Sequence, residues 1–261
     1  MRISVAATAP FGADVLERLA ARHDVAALLT RPDSAAGRGR RVAAPPAKVV
    51  AERLGIAVLQ PERPTAELEL PGDAVVVAAY GLLIPESLLE RGLWLNVHPS
   101  LLPRWRGAAP VERSLLAGDG ETGVTIHETV KELDAGPIAA QRAFPLTPAD
   151  DAGTVYARAA ELAVELLDDV LAGPTFTPQR GDVTYAAKIE ASDRELDLSR
   201  AEESFNRIRA LSPHIGARGE LHGRRMTIWK ARLEDGELVP EEVQPEGRTR
   251  MTYDEFVRGL R

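Results

Sequence analysis

The sequence predicts an open, doubly wound (Rossmann-like) α/β sheet followed by a small C-terminal β-barrel. Three observations predict it. Through the first two thirds of the 261 residues, short apolar runs alternate with segments of helical apolar spacing, the pattern of a parallel sheet covered by helices. Ala74 to Ala79 reads AVVVAA, apolar on both faces as a central parallel strand must be. After Gly173-Pro174 and Pro178 the pattern changes to one helix and several closely spaced strand-like pieces, which suits a small barrel. The expected organisation is a main domain over residues 1–180, a linker over 181–200 and a small domain over 201–261.

The elements follow in order. Ile3 to Ala7 is the first strand, and Pro10 cuts its apolar stretch below the length of an export signal. Val15, Leu16 and Leu19 give Phe11 to Arg22 a helical stripe. Val25 to Leu29 is the second strand, followed by a Gly/Arg loop from Arg31 to Arg41. Pro45 and Pro46 open a helix running to Leu54, because proline fits the first helical turn. Ala57 to Leu59 is a short strand before the central one. Leu93 to His98, Val124 to Glu128 and Ile138 to Phe144 are further strands, with a helical stretch over Ala108 to Ala117. Thr154 to Leu171 is a long amphipathic helix. In the small domain Ser199 is the expected N-cap of a helix over Ala201 to Leu211, and strands follow at Ala217 to Leu221, Arg225 to Leu233 and Glu237 to Val243.

Composition narrows the chemistry. With 44% apolar and 27% charged residues the chain is an ordinary globular protein. It has no cysteine, which removes disulfides, thiolate nucleophiles and cysteine zinc sites together. No apolar run approaches the roughly 18 residues of a membrane helix, so no membrane partner is expected and the cytoplasm is the expected compartment. The net charge of -7 repels polyanions on the whole. Two segments run against it. Arg31, Arg38, Arg40 and Arg41 face only Asp33, and between Phe205 and Arg232 seven basic side chains, Arg224 and Arg225 among them, face only Glu220. Such segments are either solvated faces or local polyanion surfaces.

Residues 118–123 match GxGxxG, but a helix precedes them and a strand follows. That inverts the order a dinucleotide site needs, so they are a helix-to-strand turn. The five histidines are scattered, and no metal is expected. Asn96 and His98 are the informative pair. Two apart in a strand, they project from one face at the C-terminal edge, where open α/β sheets bind ligands. Pro99 holds His98 extended. Alone, such a pair is more often a hydrogen-bonded structural couple. It becomes chemical if Asp134, in the turn Leu133-Asp134-Ala135-Gly136-Pro137, folds back to His98, since a carboxylate raises an imidazole pKa and sets its tautomer.

Asn96-Val97-His98-Pro99-Ser100-Leu101-Leu102-Pro103-Arg104-Trp105-Arg106-Gly107-Ala108-Ala109-Pro110 resembles the signature of the folate-dependent formyltransferases. The likeness is closest to the branch acting on methionyl-tRNA. It continues through Glu121-Thr122-Gly123-Val124-Thr125-Ile126, Leu133-Asp134-Ala135-Gly136, the Arg31 to Val49 region and Val77 to Pro85, covering nearly the whole chain. The resemblance implies formyl transfer from 10-formyltetrahydrofolate, a co-substrate, to the α-amine of methionyl initiator tRNA in translation initiation, by a monomer and without a metal. The alternative within the family is an amino-sugar nucleotide N-formyltransferase. By resemblance, Asn96, a protonated His98 and Asp134 are the catalytic residues. Ser100, Leu101, Leu102 and Pro103, with Tyr80, Gly81 and Leu82, line the folate pocket. Arg38, Arg40 and Arg41, with Arg224 and Arg225 of a shortened OB-like domain, contact tRNA. The first βα turn departs from the family's pattern, reading Ala7-Thr8-Ala9-Pro10-Phe11.

Overall fold

The computed structural model describes residues 1–36 and 41–260. Its elements are β1 (Arg2–Ala7), α1 (Pro10–Ala20), β2 (Asp24–Leu29), β3 (Ser34–Ala36), β4 (Arg41–Ala43), α2 (Pro46–Leu54), β5 (Ala57–Leu59), β6 (Ala74–Ala78), α3 (Glu86–Leu89), β7 (Leu93–His98), the two-residue β8 (Arg106–Gly107), α4 (Pro110–Leu116), β9 (Glu121–Glu128), β10 (Ile138–Pro145) and α5 (Ala152–Ala172). Then come β11 (Tyr185–Ala186), α6 (Ala201–Leu211), β12 (Ala217–Leu221), β13 (Arg224–Glu234), β14 (Glu237–Pro245), β15 (Met251–Thr252) and α7 (Tyr253–Arg258). The chain forms two compact units interleaved in sequence. One comprises Met1–Arg106, Gly123–Ala143 and Ala157–Thr184; the other comprises Gly107–Thr122, Phe144–Tyr156 and Tyr185–Arg261.

The first unit carries a seven-stranded sheet of order β10-β9-β7-β6-β1-β2-β5. Strands β5, β2, β1, β6 and β7 run parallel, and β9 joins β7 antiparallel. Every residue of β6 is buried, as its two-sided apolar sequence demands. Val15, Leu16 and Leu19 of α1 are fully buried, because their spacing puts them on one helical face. Pro46 sits in the first turn of α2, and Gly55 closes that helix in the left-handed conformation, which glycine adopts without a Cβ penalty. An apolar cluster including Tyr80, Leu88 and Trp94 joins Val75 and Val77 of β6.

The region expected as a bare loop after Arg31 instead carries the antiparallel pair β3–β4. The expected polyanion contacts Arg38 and Arg40 lie outside the described residues. The second unit holds an antiparallel sheet of order β12-β13-β14-β15, in the part of the sequence where a small barrel is expected. Its core joins Ile208 and Leu211 of α6 to Met226, Ile228, Val243 and Phe256.

Ser199 does not cap α6. The N-cap is Arg200, with no side-chain cap bond, and the Ser199 hydroxyl donates to Asp197 Oδ1 at 2.6 Å. The short side chain is taken by the Asp197 turn, a competition usual for serine beside aspartate. Helix α7 has a full capping box between Thr252 and Glu255, a pattern legible in the sequence. No described helix is long and apolar enough to cross a membrane.

Candidate active site

Strand β7 delivers Asn96 and His98 to the C-terminal end of the parallel sheet, and β9 lies beside it with His127 opposite Asn96 and Thr125 opposite His98. The turn before β10 brings in Asp134, whose φ of 49° is left-handed, a region aspartate tolerates better than most residues. Gln179 holds this turn: its amide donates to the carbonyls of Asp134 and Gly136 at 2.8 Å each. Its own carbonyl accepts two bonds from the Arg106 guanidinium at 2.7 and 3.2 Å.

The three sequence-predicted polar residues therefore meet. Asn96 Nδ2 donates to Asp134 Oδ1 at 3.1 Å, and Asp134 Oδ2 lies 3.6 Å from His98 Nδ1. His98 is 4% exposed and Asp134 is 9% exposed. Sequence reasoning missed a fourth member. His127, 1% exposed, places Nε2 3.1 Å from Asn96 Nδ2 and 3.7 Å from Asp134 Oδ1. The signal available was the two-residue alternation Thr125, His127, but its meaning depends on which strand pairs with β7.

The expected rise in the His98 pKa is corrected. Burial pushes the His98 imidazole below its usual value; Asp134 and the Trp105 carbonyl pull it upward without overcoming that, and His127 adds to the lowering. The cost of desolvating an imidazolium wins over a carboxylate beyond hydrogen-bond distance. Desolvation thus favours the neutral form of His98. Its Nε2 lies 2.8 Å from the Trp105 carbonyl, which only accepts, so Nε2 carries the proton and Nδ1 is bare. Trp105 is held in a left-handed conformation, φ 65°, with its N–H donating to Thr184 Oγ1 at 2.9 Å. Backbone strain of this kind gathers at functional sites.

The segment after His98 is laced into the sheet. Ser100 Oγ donates to the Arg104 carbonyl at 2.7 Å, Thr125 Oγ1 donates to the Ser100 carbonyl at 2.6 Å, and Leu102 N–H donates to Thr125 Oγ1 at 3.2 Å. Ser100, Leu102 and Pro103 are buried, and Leu101 is half-buried. After β6, the Tyr80 hydroxyl is buried with no hydrogen-bond partner among the described residues, and burial pushes it up to about 12. Gly81 follows at φ 77°, then half-buried Leu82 and Leu83, which is 84% exposed.

The basic segment of the second unit is less charged than its sequence reads. Arg225 pairs with Glu195 at 3.3 Å, Lys230 with Glu241 at 3.3 Å, and Arg232 with Glu234 at 2.7 Å. Arg224 is exposed. Arg41 lies in β4. Among the described residues no group of three or more histidine, aspartate or glutamate side chains is placed to hold a metal ion.

The formyl transferase family model matches residues 1–171. The chain belongs to the formyl transferase family. It is 40% identical to a methionyl-tRNA formyltransferase of Listeria monocytogenes, over 97% of this chain and 93% of the relative. Among solved structures, a methionyl-tRNA formyltransferase from Clostridium thermocellum superposes with a TM-score of 0.67 at 16% identity, covering 94% of this chain and 98% of that one. An N-formyltransferase from Helicobacter canadensis, in complex with folinic acid and dTDP-3-aminofucose, has a TM-score of 0.69 at 18% identity, covering 96% and 98%. At those identities the structural likeness speaks to the fold alone. This formyltransferase therefore shares its fold with enzymes of both acceptor classes, and sequence separates them.

Proposed function

We propose that this formyltransferase moves the formyl group of 10-formyltetrahydrofolate to the α-amine of methionine esterified to initiator tRNA. The observation that carries the reading is the 40% identity to a methionyl-tRNA formyltransferase along 97% of the chain. In this reading residues 1–180 are the catalytic domain, residues 201–261 bind tRNA, and no metal takes part.

The reaction forms a bond from the amine nitrogen to the formyl carbon, moves the carbonyl π pair onto oxygen, and then breaks the bond from that carbon to N10. One proton leaves the amine and one arrives at N10. Asn96 donates an Nδ2 hydrogen to the oxyanion, an interaction whose loss typically costs roughly 10²–10³ in rate. Asp134, directly or through a water, takes the amine proton. His98 begins neutral with a bare Nδ1 3.6 Å from Asp134 Oδ2, so the pair lacks the one proton the amine supplies. Nδ1 receives it while Nε2–H, released from the Trp105 carbonyl, protonates N10. The ring starts and finishes neutral, which burial favours; proton exchange with solvent after product release returns the proton from Nδ1 to Nε2, and no covalent enzyme intermediate forms.

The Tyr80 to Leu82 and Ser100 to Pro103 segments form the folate pocket, and Arg38, Arg40, Arg41, Arg224 and Arg225 contact tRNA phosphates. The test is a formylation assay with 10-formyltetrahydrofolate and three acceptors in parallel: methionyl-tRNA, a dTDP-amino sugar and a UDP-amino sugar. Formyl-methionyl-tRNA is the expected product. Turnover confined to either sugar overturns the reading in favour of an amino-sugar nucleotide N-formyltransferase.

A further inference from the structure

We infer that His127 is a positioning residue that sets the orientation of the Asn96 amide and lends it the hydrogen used in the reaction. The inference rests on the formyl-transfer reading above. The His127 ring is buried, and its two nitrogens have distinct partners. Nδ1 lies 2.8 Å from the Glu128 carbonyl, an acceptor only, so Nδ1 carries the proton. Nε2 is therefore a lone pair, and it faces Asn96 Nδ2 at 3.1 Å. On the other side of the same amide nitrogen stands Asp134 Oδ1, again at 3.1 Å and again an acceptor.

Two acceptors thus converge on one NH2 group, which has one hydrogen for each. Turning the amide over would set its carbonyl oxygen against a lone pair and a carboxylate in a buried site, where unmatched polar groups are costly. With Asp134 alone the amide has one anchor; His127 supplies the second and removes the rotational freedom left. The two anchors are also unequal, because a hydrogen bond to a neutral acceptor is weaker than one to an ionised carboxylate. When negative charge develops on the formyl oxygen, the hydrogen that turns toward it is the one His127 holds, and it returns to His127 after the carbon–N10 bond breaks. His127 touches no reacting atom in this scheme.

The anchor is itself braced. A Cβ on Gly136 would stand 1.8 Å from the Glu128 oxygen and 3.4 Å from His127 Nδ1, and Glu128 N–H donates to the Pro137 carbonyl at 3.0 Å. The carbonyl that sets the His127 tautomer is therefore pressed against the turn that carries Asp134.

Steady-state formylation of methionyl-tRNA is compared for the parent, His127→Leu, His127→Gln and Asn96→Ala, and for Asn96→Ala combined with His127→Leu. Leucine keeps volume and removes the acceptor; glutamine can place Oε1 near the position of Nε2. His127→Leu is expected to lower kcat by about three- to tenfold, the net worth of one hydrogen bond read as a rate, with the KM for 10-formyltetrahydrofolate unchanged. His127→Gln is expected to restore most of the loss, and His127→Leu is expected to cost nothing further in the Asn96→Ala background. Melting temperatures are read alongside, and if the leucine variant does not fold, His127→Gln alone must keep kcat while the parent–Gln pair shows the same KM. Full kcat in a folded His127→Leu, an equal fall in both variants, or a further loss in the Asn96→Ala background overturns the inference. Absence of formylation by the parent itself would instead count against the formyl-transfer reading.

Discussion

Gly136→Ala is the sharpest probe of how the Asp134 turn is held. Position 136 has no left-handed φ, so alanine meets no backbone strain there; the obstacle is space alone. The added methyl would sit 1.8 Å from the Glu128 oxygen and 2.8 Å from its carbonyl carbon. Both are backbone atoms of β9 and cannot rotate aside. Reaching ordinary contact requires the turn to retreat by about 1.5 Å. Asp134 lies two residues upstream, so its 3.1 Å bond from Asn96 lengthens beyond hydrogen-bond range. Overpacking of this kind costs about 1–3 kcal/mol of stability, and a misplacement near 1 Å costs on the order of 10²-fold in rate. The assay is kcat and the folate KM, with a urea midpoint for each variant. Gly55→Ala is the control, since that glycine has a φ of 70° and nothing within 4 Å; about 1 kcal/mol of stability is lost there to the left-handed backbone, with kcat unchanged. A folded Gly136→Ala whose kcat stays within about threefold of the parent, where on the order of 10²-fold is expected, refutes the argument that backbone contact with β9 positions Asp134.

Replacing Asn96, His98 or Asp134 by alanine is expected to lower kcat by roughly 10²–10³ or more with folate affinity retained; full activity in Asp134→Asn would remove the proton-relay role. Burial lowers the His98 pKa, so the folded protein holds fewer protons than the unfolded chain just below the unfolded value of about 6.5. Stability therefore falls as pH drops through that value toward the folded pKa, and His98→Gln is expected to flatten that part of a urea-midpoint pH series. Burial raises the Glu112 pKa, with Tyr156, His214 and Arg113 opposing; its ionised form is disfavoured in the folded state. Glu112→Gln is expected to raise Tm at pH 7.5, a gain that disappears once the unfolded chain's glutamate is also protonated, below its ordinary value of 4.5. Arg224→Glu should weaken tRNA binding and flatten its salt dependence more than Arg225→Glu, because Arg225 already has Glu195 beside it; equal slopes for parent and Arg224→Glu in a salt series would mean that this surface is only solvated.

The sequence by itself determined the elements and much of the site. Apart from β3, β4, α3 and β8, the order of strands and helices in the first 172 residues follows from local apolar period and proline placement, which depend on near neighbours only. Asn96 and His98 were legible as a pair because side chains two apart in a strand must share a face. The family motif then named Asp134 as their partner, 36 residues after His98. What only the tertiary structure decided lies across strands and turns. His127 joins the site because β9 pairs antiparallel with β7 in the register that sets it opposite Asn96, and no local pattern specifies a register between strands so far apart. Thr125 enters for the same reason, whereas Gln179 and the Trp105 carbonyl enter through loop contacts. The protonation state of His98 was likewise outside the sequence. The Asn96-x-His98 spacing and Asp134 suggest a raised pKa, but its sign depends on how much water the fold removes, and here desolvation exceeds the pull of the carboxylate. The basic run from Phe205 to Arg232 reads as a dense positive segment along the chain, yet folding brings Glu195 and Glu241 against it. Charge along a sequence adds up by position, whereas the field at a surface depends on which side chains the fold sets within a few ångströms of one another.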